Sequence, residues 1–191
     1  MSREPDTAEE TTGKEMPFLE HLIELRSRIL RSLALVALLF IPIYYYAEPL
    51  FNFVSAPLVD ALPDGSSMIA TQVTSPFLTP FKLAIYTAIF IGVPFLLHQL
   101  WGFVSPGLYR SEKRFAFPLL FSSVVLFYTG MAFSYFLVFP LVFSFFVAVS
   151  PEGVQMMSDI NQYLDFVLKM FLAFGIAFEI PVATFLLAWS G

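Results

Sequence analysis

Four apolar runs, each long enough to cross a membrane as a helix, constrain the fold of this chain most strongly. A helix of about 20 apolar residues spans the hydrocarbon core of a bilayer. The composition agrees, because 58% of the residues are hydrophobic and only 13% are charged, whereas about 25% of residues are charged in a typical soluble domain. The sequence therefore predicts an all-α, polytopic membrane helical bundle whose spans occupy residues 29–47, 79–104, 115–139 and 166–190.

The remaining segments precede or connect these spans. Residues 1–15 are polar and acidic, which predicts a disordered tail. Residues 16–28 place apolar side chains at helical spacing opposite charged ones, which predicts an amphipathic helix at the membrane interface. The predicted connections are residues 48–78, 105–114 and 140–165.

Two of the connections contain further apolar stretches. The stretch from Leu50 to Val59 is apolar enough to predict a helix that rests on the outer surface. The stretch from Leu141 to Val149 is expected to continue the third spanning helix beyond the bilayer.

The distribution of basic residues predicts the orientation of the chain. Eight of the ten Lys and Arg residues lie either in the N-terminal segment up to Arg31 or in the connection 105–114. The connections 48–78 and 140–165 contain neither Lys nor Arg. Basic residues that flank membrane spans stay in the cytoplasm, so we expect a cytoplasmic N-terminus. Glu24 and Glu112, one in each basic segment, should then lie on the same side of the membrane.

Residue usage excludes several classes of site. The chain has no cysteine, which excludes disulfides, thiolate metal sites and cysteine nucleophiles. Two histidines are too few for an imidazole-rich metal site, and no basic stripe is available to neutralise the phosphates of a nucleic acid. The sequence also lacks a Ser/His/Asp set or an HExxH motif. We therefore expect no metal, no cofactor, no nucleic-acid partner and no enzymatic activity.

Glu179 is the ionisable residue nearest the middle of a predicted span. A carboxylate there costs about 2.5–3.5 kcal/mol on insertion scales, so it normally faces a cavity or a partner. Two interpretations remain open: a functional intramembrane group, or a neutral carboxylic acid whose hydrogen bonds hold helices together. Lys169, near the end of the same span, can extend its amine to the interface.

Glu24 and Glu112 allow an ordinary and a functional interpretation. Glu24 can form an ion pair with Arg28 at i,i+4, and Glu112 can be a solvated loop charge. As a pair on separate segments, they would suit a ligand with two adjacent cations. Neighbouring side chains of an extended peptide point to opposite sides, so consecutive arginines need acceptors on two walls. Each contact could be bidentate, which Lys reproduces poorly.

Motifs along essentially the whole chain resemble the TatC family, the multispanning C subunit of the twin-arginine protein translocase. They are His21-Leu22-Ile23-Glu24-Leu25-Arg26, Ser55-Ala56-Pro57, Met68-Ile69-Ala70-Thr71, Ser75-Pro76-Phe77, Phe103-Val104-Ser105-Pro106-Gly107-Leu108-Tyr109 with Glu112, Gly130-Met131-Ala132-Phe133-Ser134-Tyr135, Pro151-Glu152-Gly153-Val154-Gln155 and Phe178-Glu179-Ile180-Pro181. The resemblance implies six spans, both termini in the cytoplasm and a glove-shaped concave face. Four spans are present, so we expect the fifth and sixth to be missing from this chain.

The resemblance also implies site residues. Glutamates that match Glu24 and Glu112 hold the consecutive arginines of signal peptides on folded exported proteins. A glutamate that matches Glu179 lines the concave intramembrane face. The resemblance further implies that the peptide-binding surface is shaped by Arg26, Phe103, Leu108, Lys113 and Arg114, and that the periplasmic cap is shaped by Pro57 and Phe77.

The implied partners are the single-span TatA and TatB subunits, twin-arginine signal peptides, the lipid bilayer and further copies of the chain in a receptor complex. The implied location is the bacterial inner membrane, and the implied energy source is the proton-motive force rather than hydrolysis. Two alternatives stay open from the residues alone. One is a proton-coupled secondary transporter that uses Glu179, although no convincing inverted repeat is visible. The other is a membrane enzyme, which is disfavoured because the chain lacks the catalytic sets named above. His98 and Gln99 are expected to form interhelical hydrogen bonds rather than a proton relay.

Overall fold

The computed structural model describes residues 7–63, 66–104, 116–151 and 157–190. Regular structure within these ranges is helical, apart from one isolated bridge between Ile69 and Asp159. The helices are α1 (Thr7–Tyr45), α2 (Ala47–Val59), α3 (Ser75–Val104), α4 (Ala116–Phe133), α5 (Phe139–Val149) and α6 (Ile160–Ser190). A π-helical segment, Ser134–Val138, joins α4 to α5.

Four helical stretches in the described ranges are long and apolar enough to cross a membrane. They lie in α1, in α3, through α4 and α5, and in α6, and their bounds are His21–Tyr45, Ser75–Phe103, Phe117–Val149 and Ile160–Phe185. The predicted all-α bundle with four spans is therefore confirmed.

The element boundaries differ from the sequence-based ones at the N-terminus. α1 is one continuous helix from Thr7, whereas the sequence predicts a tail, an interfacial helix and then a span. Apolar residues recur at helical spacing from Leu19 into the first predicted span without a break. The helix can therefore propagate through the boundary predicted between residues 28 and 29. The predicted outer helix is present as α2, and the third spanning helix continues to Val149 as expected.

The spanning helices pack mainly in two pairs, α1 with α3 and α4 with α6. Small residues allow close approach in the second pair. A Cβ atom on Gly130 would lie 2.9 Å from the backbone carbonyl carbon of Phe174 and would also meet that carbonyl's oxygen. A Cβ atom on Gly175 would lie 2.6 Å from the ring of Phe127. Without side chains at these glycines, the α4 and α6 backbones can approach closely, as in many membrane helix pairs.

The buried apolar core lies toward the end of the bundle that carries α2, which we call the α2 end. Its members come from α2, α3 and α4 to α6: Val54, Leu58, Leu83, Phe90, Val93, Phe127, Phe139, Phe143, Tyr163, Leu164, Val167, Leu168 and Phe171. Two tyrosine hydroxyls bind the backbone of α2 to this core. Tyr163 donates to the Val54 carbonyl at 2.9 Å, and Tyr135 donates to the Phe53 carbonyl at 2.8 Å.

Asp159 joins the two connections at the α2 end. Its Oδ2 accepts hydrogen bonds from the Thr71 amide at 2.9 Å and the Thr71 hydroxyl at 2.5 Å. Its Oδ1 accepts from the amides of Asn161 at 2.9 Å and Gln162 at 3.0 Å, which caps the first turn of α6. The Thr71 hydroxyl and the surrounding amides lower the pKa of Asp159 to about 2, because they stabilise the ionised carboxylate.

An ion pair connects α3 to α6 near the same end. Lys82 Nζ lies 2.5 Å from Asp165 Oδ1 and 2.9 Å from Asn161 Oδ1. Both charged side chains are partly exposed, so the ion pair contributes little to the free energy of folding.

Candidate functional site

The opposite end of the bundle holds Glu24 on α1, and we call it the Glu24 end. Arg28, one turn later on α1, donates to Glu24 Oε1 from Nε at 2.9 Å and from Nη2 at 2.5 Å. The intrahelical pair that the sequence allows is therefore present. Glu24 nevertheless keeps 37% of its side chain exposed, so the carboxylate is accessible at the surface.

The Arg28 guanidinium also reaches across to the last turns of α3. Its Nη1 donates to the backbone carbonyl of Gln99 at 3.4 Å and to the side-chain Oε1 of Gln99 at 3.2 Å. Its Nη2 donates to the carbonyl of Gly102 at 3.0 Å. Carbonyls in the last turn of a helix lack intrahelical donors and favour a nearby cation. Arg28 therefore links the Glu24 carboxylate to the end of α3, and Gln99 forms the interhelical bond predicted for it.

Gly102 provides the space in which the guanidinium lies. A Cβ atom there would lie 2.9 Å from Cζ and 3.0 Å from Nη2 of Arg28, and it would also meet Nη1. Contacts this short are not seen between real side chains, so any larger residue would displace the guanidinium. The small size of residue 102 is thus a condition for the Arg28 contacts.

His21 lies between Glu24 and the aromatic ring of Phe103. The imidazole stacks on the Phe103 ring with centroids 4.1 Å apart and an interplanar angle of 16°. Its Nδ1 lies 3.9 Å from Oε2 of Glu24, a distance too long for a hydrogen bond. The Glu24 end therefore presents a carboxylate oxygen beside an aromatic pair.

The structure brings together only part of the predicted peptide-binding surface. Glu24 and Phe103 are both positioned around His21, while Arg26 is exposed on α1. Leu108, Glu112, Lys113 and Arg114 lie outside the described residues, in the segment that joins α3 to α4. The proximity of Glu24 and Glu112 stays a prediction.

Glu179 opens onto a cavity at the same half of the bundle. The cavity has a volume of about 230 Å³ and is lined by Leu97, Leu100, Trp101, Ser123, Glu179, Val182 and Ala183. Ser123 and Glu179 line the same cavity. Glu179 Oε1 is buried and has no hydrogen-bond partner among the described residues. The cavity is thus mostly apolar, and an incoming donor could satisfy the Glu179 carboxyl group.

The two predicted cap residues lie at the α2 end. Pro57 is inside α2 and is partly buried. Phe77, at the start of α3, is 62% exposed and stacks on Phe81 with ring centroids 6.2 Å apart. In the described ranges, no group of three or more His, Cys, Asp or Glu residues could hold a metal ion.

Sequence reasoning missed two features of this chain. It treated Arg28 as a partner of Glu24 alone, although Gln99 and Gly102, three residues apart on α3, form one face that accepts its donors. It also passed over the Lys82–Asp165 pair. Opposite charges near the starts of two spans were a usable signal for that pair.

Comparisons with known proteins identify the family. The family profile described as "TatC: Sec-independent protein translocase protein (TatC)" matches residues 20–191. The Sec-independent protein translocase protein TatC of Azotobacter chroococcum mcd 1 is 59% identical over 185 residues, which cover 97% of this chain and 72% of the relative. The protein of the same name from Haemophilus influenzae is 52% identical over 178 residues, covering 93% and 70%.

A solved structure gives the same result for the fold. The crystal structure titled "Crystal Structure of Twin Arginine Translocase Receptor- TatC" superposes with a TM-score of 0.81 at 34% identity. The superposition covers 90% of this chain and 75% of that chain. Taken with the four spanning helices, these similarities show that the chain belongs to the TatC family, a membrane component of the Sec-independent protein translocase and not an enzyme.

Proposed function

We propose that this chain is the translocase subunit that recognises the consecutive arginines of signal peptides on folded proteins at the cytoplasmic face. The observation that carries the proposal is the Glu24 carboxylate, which is partly exposed and held at the end of the α1–α3 pair by Arg28. The similar crystal structure, which is that of a twin-arginine translocase receptor, supports the same interpretation.

The chemistry of the Glu24 end suits a guanidinium ligand. Arg28 donates two hydrogen bonds to Oε1 of Glu24, while Oε2 lies beside His21. A peptide arginine can therefore donate to Oε2 without displacing Arg28, through a charge-assisted hydrogen bond. In this proposal Glu112 accepts the second arginine from the α3–α4 connection. Arg26, Leu108, Lys113 and Arg114 complete the surface around Phe103.

The cavity at Glu179 provides a second proposed contact with the signal peptide. Its lining is almost entirely apolar, which suits the apolar segment that follows the arginines. Glu179 would then meet the peptide after docking, and Pro57 and Phe77 would shape the periplasmic cap. A change at Glu179 should therefore alter a step later than the initial recognition.

We further propose the assembly and location that go with this role. The chain would act in the bacterial inner membrane with a cytoplasmic N-terminus, among TatA and TatB subunits and further copies of itself. The proton-motive force would drive export. The alternative of a proton-coupled secondary transporter centred on Glu179 is less favoured, because the relatives are protein translocase subunits.

Equilibrium binding of a signal peptide to the full chain in lipid nanodiscs tests this function. Glu24→Gln should weaken binding of an Arg-Arg peptide about tenfold or more, because a hydrogen bond to a charged group contributes about 1.5–3 kcal/mol and water screens part of it. Glu48→Gln is the matched control, since Glu48 is an exposed carboxylate at the α2 end. Equal affinities of wild type and Glu24→Gln would contradict the proposal.

A further inference from the structure

We propose that Arg28 is the positioning residue for Glu24, and that Gly102 is the residue that makes this positioning possible. Arg28 fixes one rotamer of the Glu24 carboxylate against α3 and so leaves Oε2 as the oxygen that meets the peptide. This inference rests on the proposed function. It adds to that function separate roles for the two oxygens of Glu24: Oε1 binds Arg28, and Oε2 binds the peptide.

Every nitrogen of the Arg28 guanidinium donates hydrogen bonds. Nε donates to Glu24, Nη1 donates to two acceptors of Gln99, and Nη2 donates to Glu24 and to Gly102. These contacts engage all five N–H donors of an arginine side chain. Lysine has three donors on one nitrogen and cannot reproduce the planar fork. The contacts therefore require arginine rather than positive charge alone.

The two oxygens of the Glu24 carboxylate have different neighbours. Nε and Nη2 converge on Oε1, and Oε2 lies 3.9 Å from His21 Nδ1. A glutamate on an exposed helix face ordinarily samples several rotamers, and a ligand must order the side chain when it binds. Here Arg28, only 21% exposed and tied to α3, has already ordered it. The ligand meets a carboxylate whose orientation is set.

The absence of a side chain at Gly102 leaves space for the Arg28 guanidinium. The guanidinium lies where a Cβ of residue 102 would be. Gly102→Ala should therefore push Arg28 away from its acceptors on α3 while changing no charged group and leaving the Glu24 side chain untouched. Gly92→Ala is a matched control on the same helix. Its Cβ would meet only Leu35, Leu39 and Leu96, at 3.8–4.0 Å.

The experiment measures affinity for an Arg-Arg signal peptide with the full chain in nanodiscs. We expect Gly102→Ala and Arg28→Lys each to weaken binding about threefold to thirtyfold, as for coupled neighbouring residues, while Gly92→Ala binds like the wild type. Gln99→Ala removes one of the acceptors and should have a smaller effect. It serves as the test variant if the other two fail to insert.

A double-mutant cycle separates positioning from a general structural role. In a Glu24→Gln background, Gly102→Ala and Arg28→Lys should cause no further loss, because Arg28 acts through Glu24. Equal losses in both backgrounds would overturn the inference. Wild-type affinity of Gly102→Ala and Arg28→Lys beside a weakened Glu24→Gln would overturn it and leave the proposed function intact. Wild-type affinity of Glu24→Gln alone would instead contradict the proposed function.

Discussion

At the scale of single residues, Glu24 and Asp159 are oriented through contacts that reach residues distant in sequence. Glu24 is held by Arg28, which is itself held by Gln99 and Gly102 of another helix. Asp159 is held in a similar way, because it accepts two hydrogen bonds from Thr71. Each carboxylate is thereby kept in one position.

The titration of Asp159 gives a prediction at this scale. The folded-state pKa of about 2 is below the ordinary value of 3.8, so the carboxylate stabilises the joined connections fully above about pH 4. That contribution is lost as the pH falls through about 2. Thr71→Val removes the hydroxyl donor, which is the largest cause of the shift, and should raise the pKa of Asp159 toward its ordinary value.

Carboxyl-carbon NMR of the protein in detergent micelles measures this titration directly. Wild type and Thr71→Val are compared under identical conditions. An Asp159 midpoint that does not move in Thr71→Val would show that the hydroxyl contact does not set the titration.

At the scale of elements, the packing of α4 on α6 depends on the absence of side chains at two glycines. The atoms that a new Cβ would meet differ between them. At Gly130 they are the backbone carbonyl of Phe174 and Cγ of Phe178, whereas at Gly175 they are the ring atoms of Phe127. A ring can rotate or shift, but a helix backbone moves only with the whole helix.

We therefore predict a graded response to alanine at these positions. Gly130→Ala should lower the free energy of unfolding by about 1–3 kcal/mol, as overpacked cores do, and Gly175→Ala should lower it by less. Gly92→Ala should have little effect, because its Cβ makes only ordinary contacts. Unfolding midpoints in detergent would measure the series. A larger effect at Gly92 than at Gly130 would refute this account of the α4–α6 contact.

At the scale of the whole molecule, the sequence predicts the bundle well because its signals are local. The length and apolarity of a run determine whether a helix can span, and all four spans are found. The apolar stretches at 50–59 and 141–149 are likewise helical. The start of α1 was harder to predict, because helix ends depend on weak local preferences and residues 7–15 are polar, with no apolar face to indicate a helix.

The candidate site was predictable only in part, for a physical reason. Residue types at Glu24 and Phe103 indicate the site, and both lie around His21. The role of Arg28 depends on Gln99 and Gly102, more than 70 positions away along the chain, so it follows only from the packing of α1 on α3. The relation between Glu24 and Glu112 stays a prediction, because Glu112 lies outside the described residues.

Site-specific photocrosslinking next to Glu24 and next to Glu112 tests the central claim of arginine-pair recognition most directly. A photoreactive side chain would replace Ile23 or Ser111 in the full chain, and the ligand would be a signal peptide with either Arg-Arg or Lys-Lys. The account predicts strong crosslinks from both positions with Arg-Arg and their loss with Lys-Lys. Equal crosslinks with both peptides, or none with either, would contradict it.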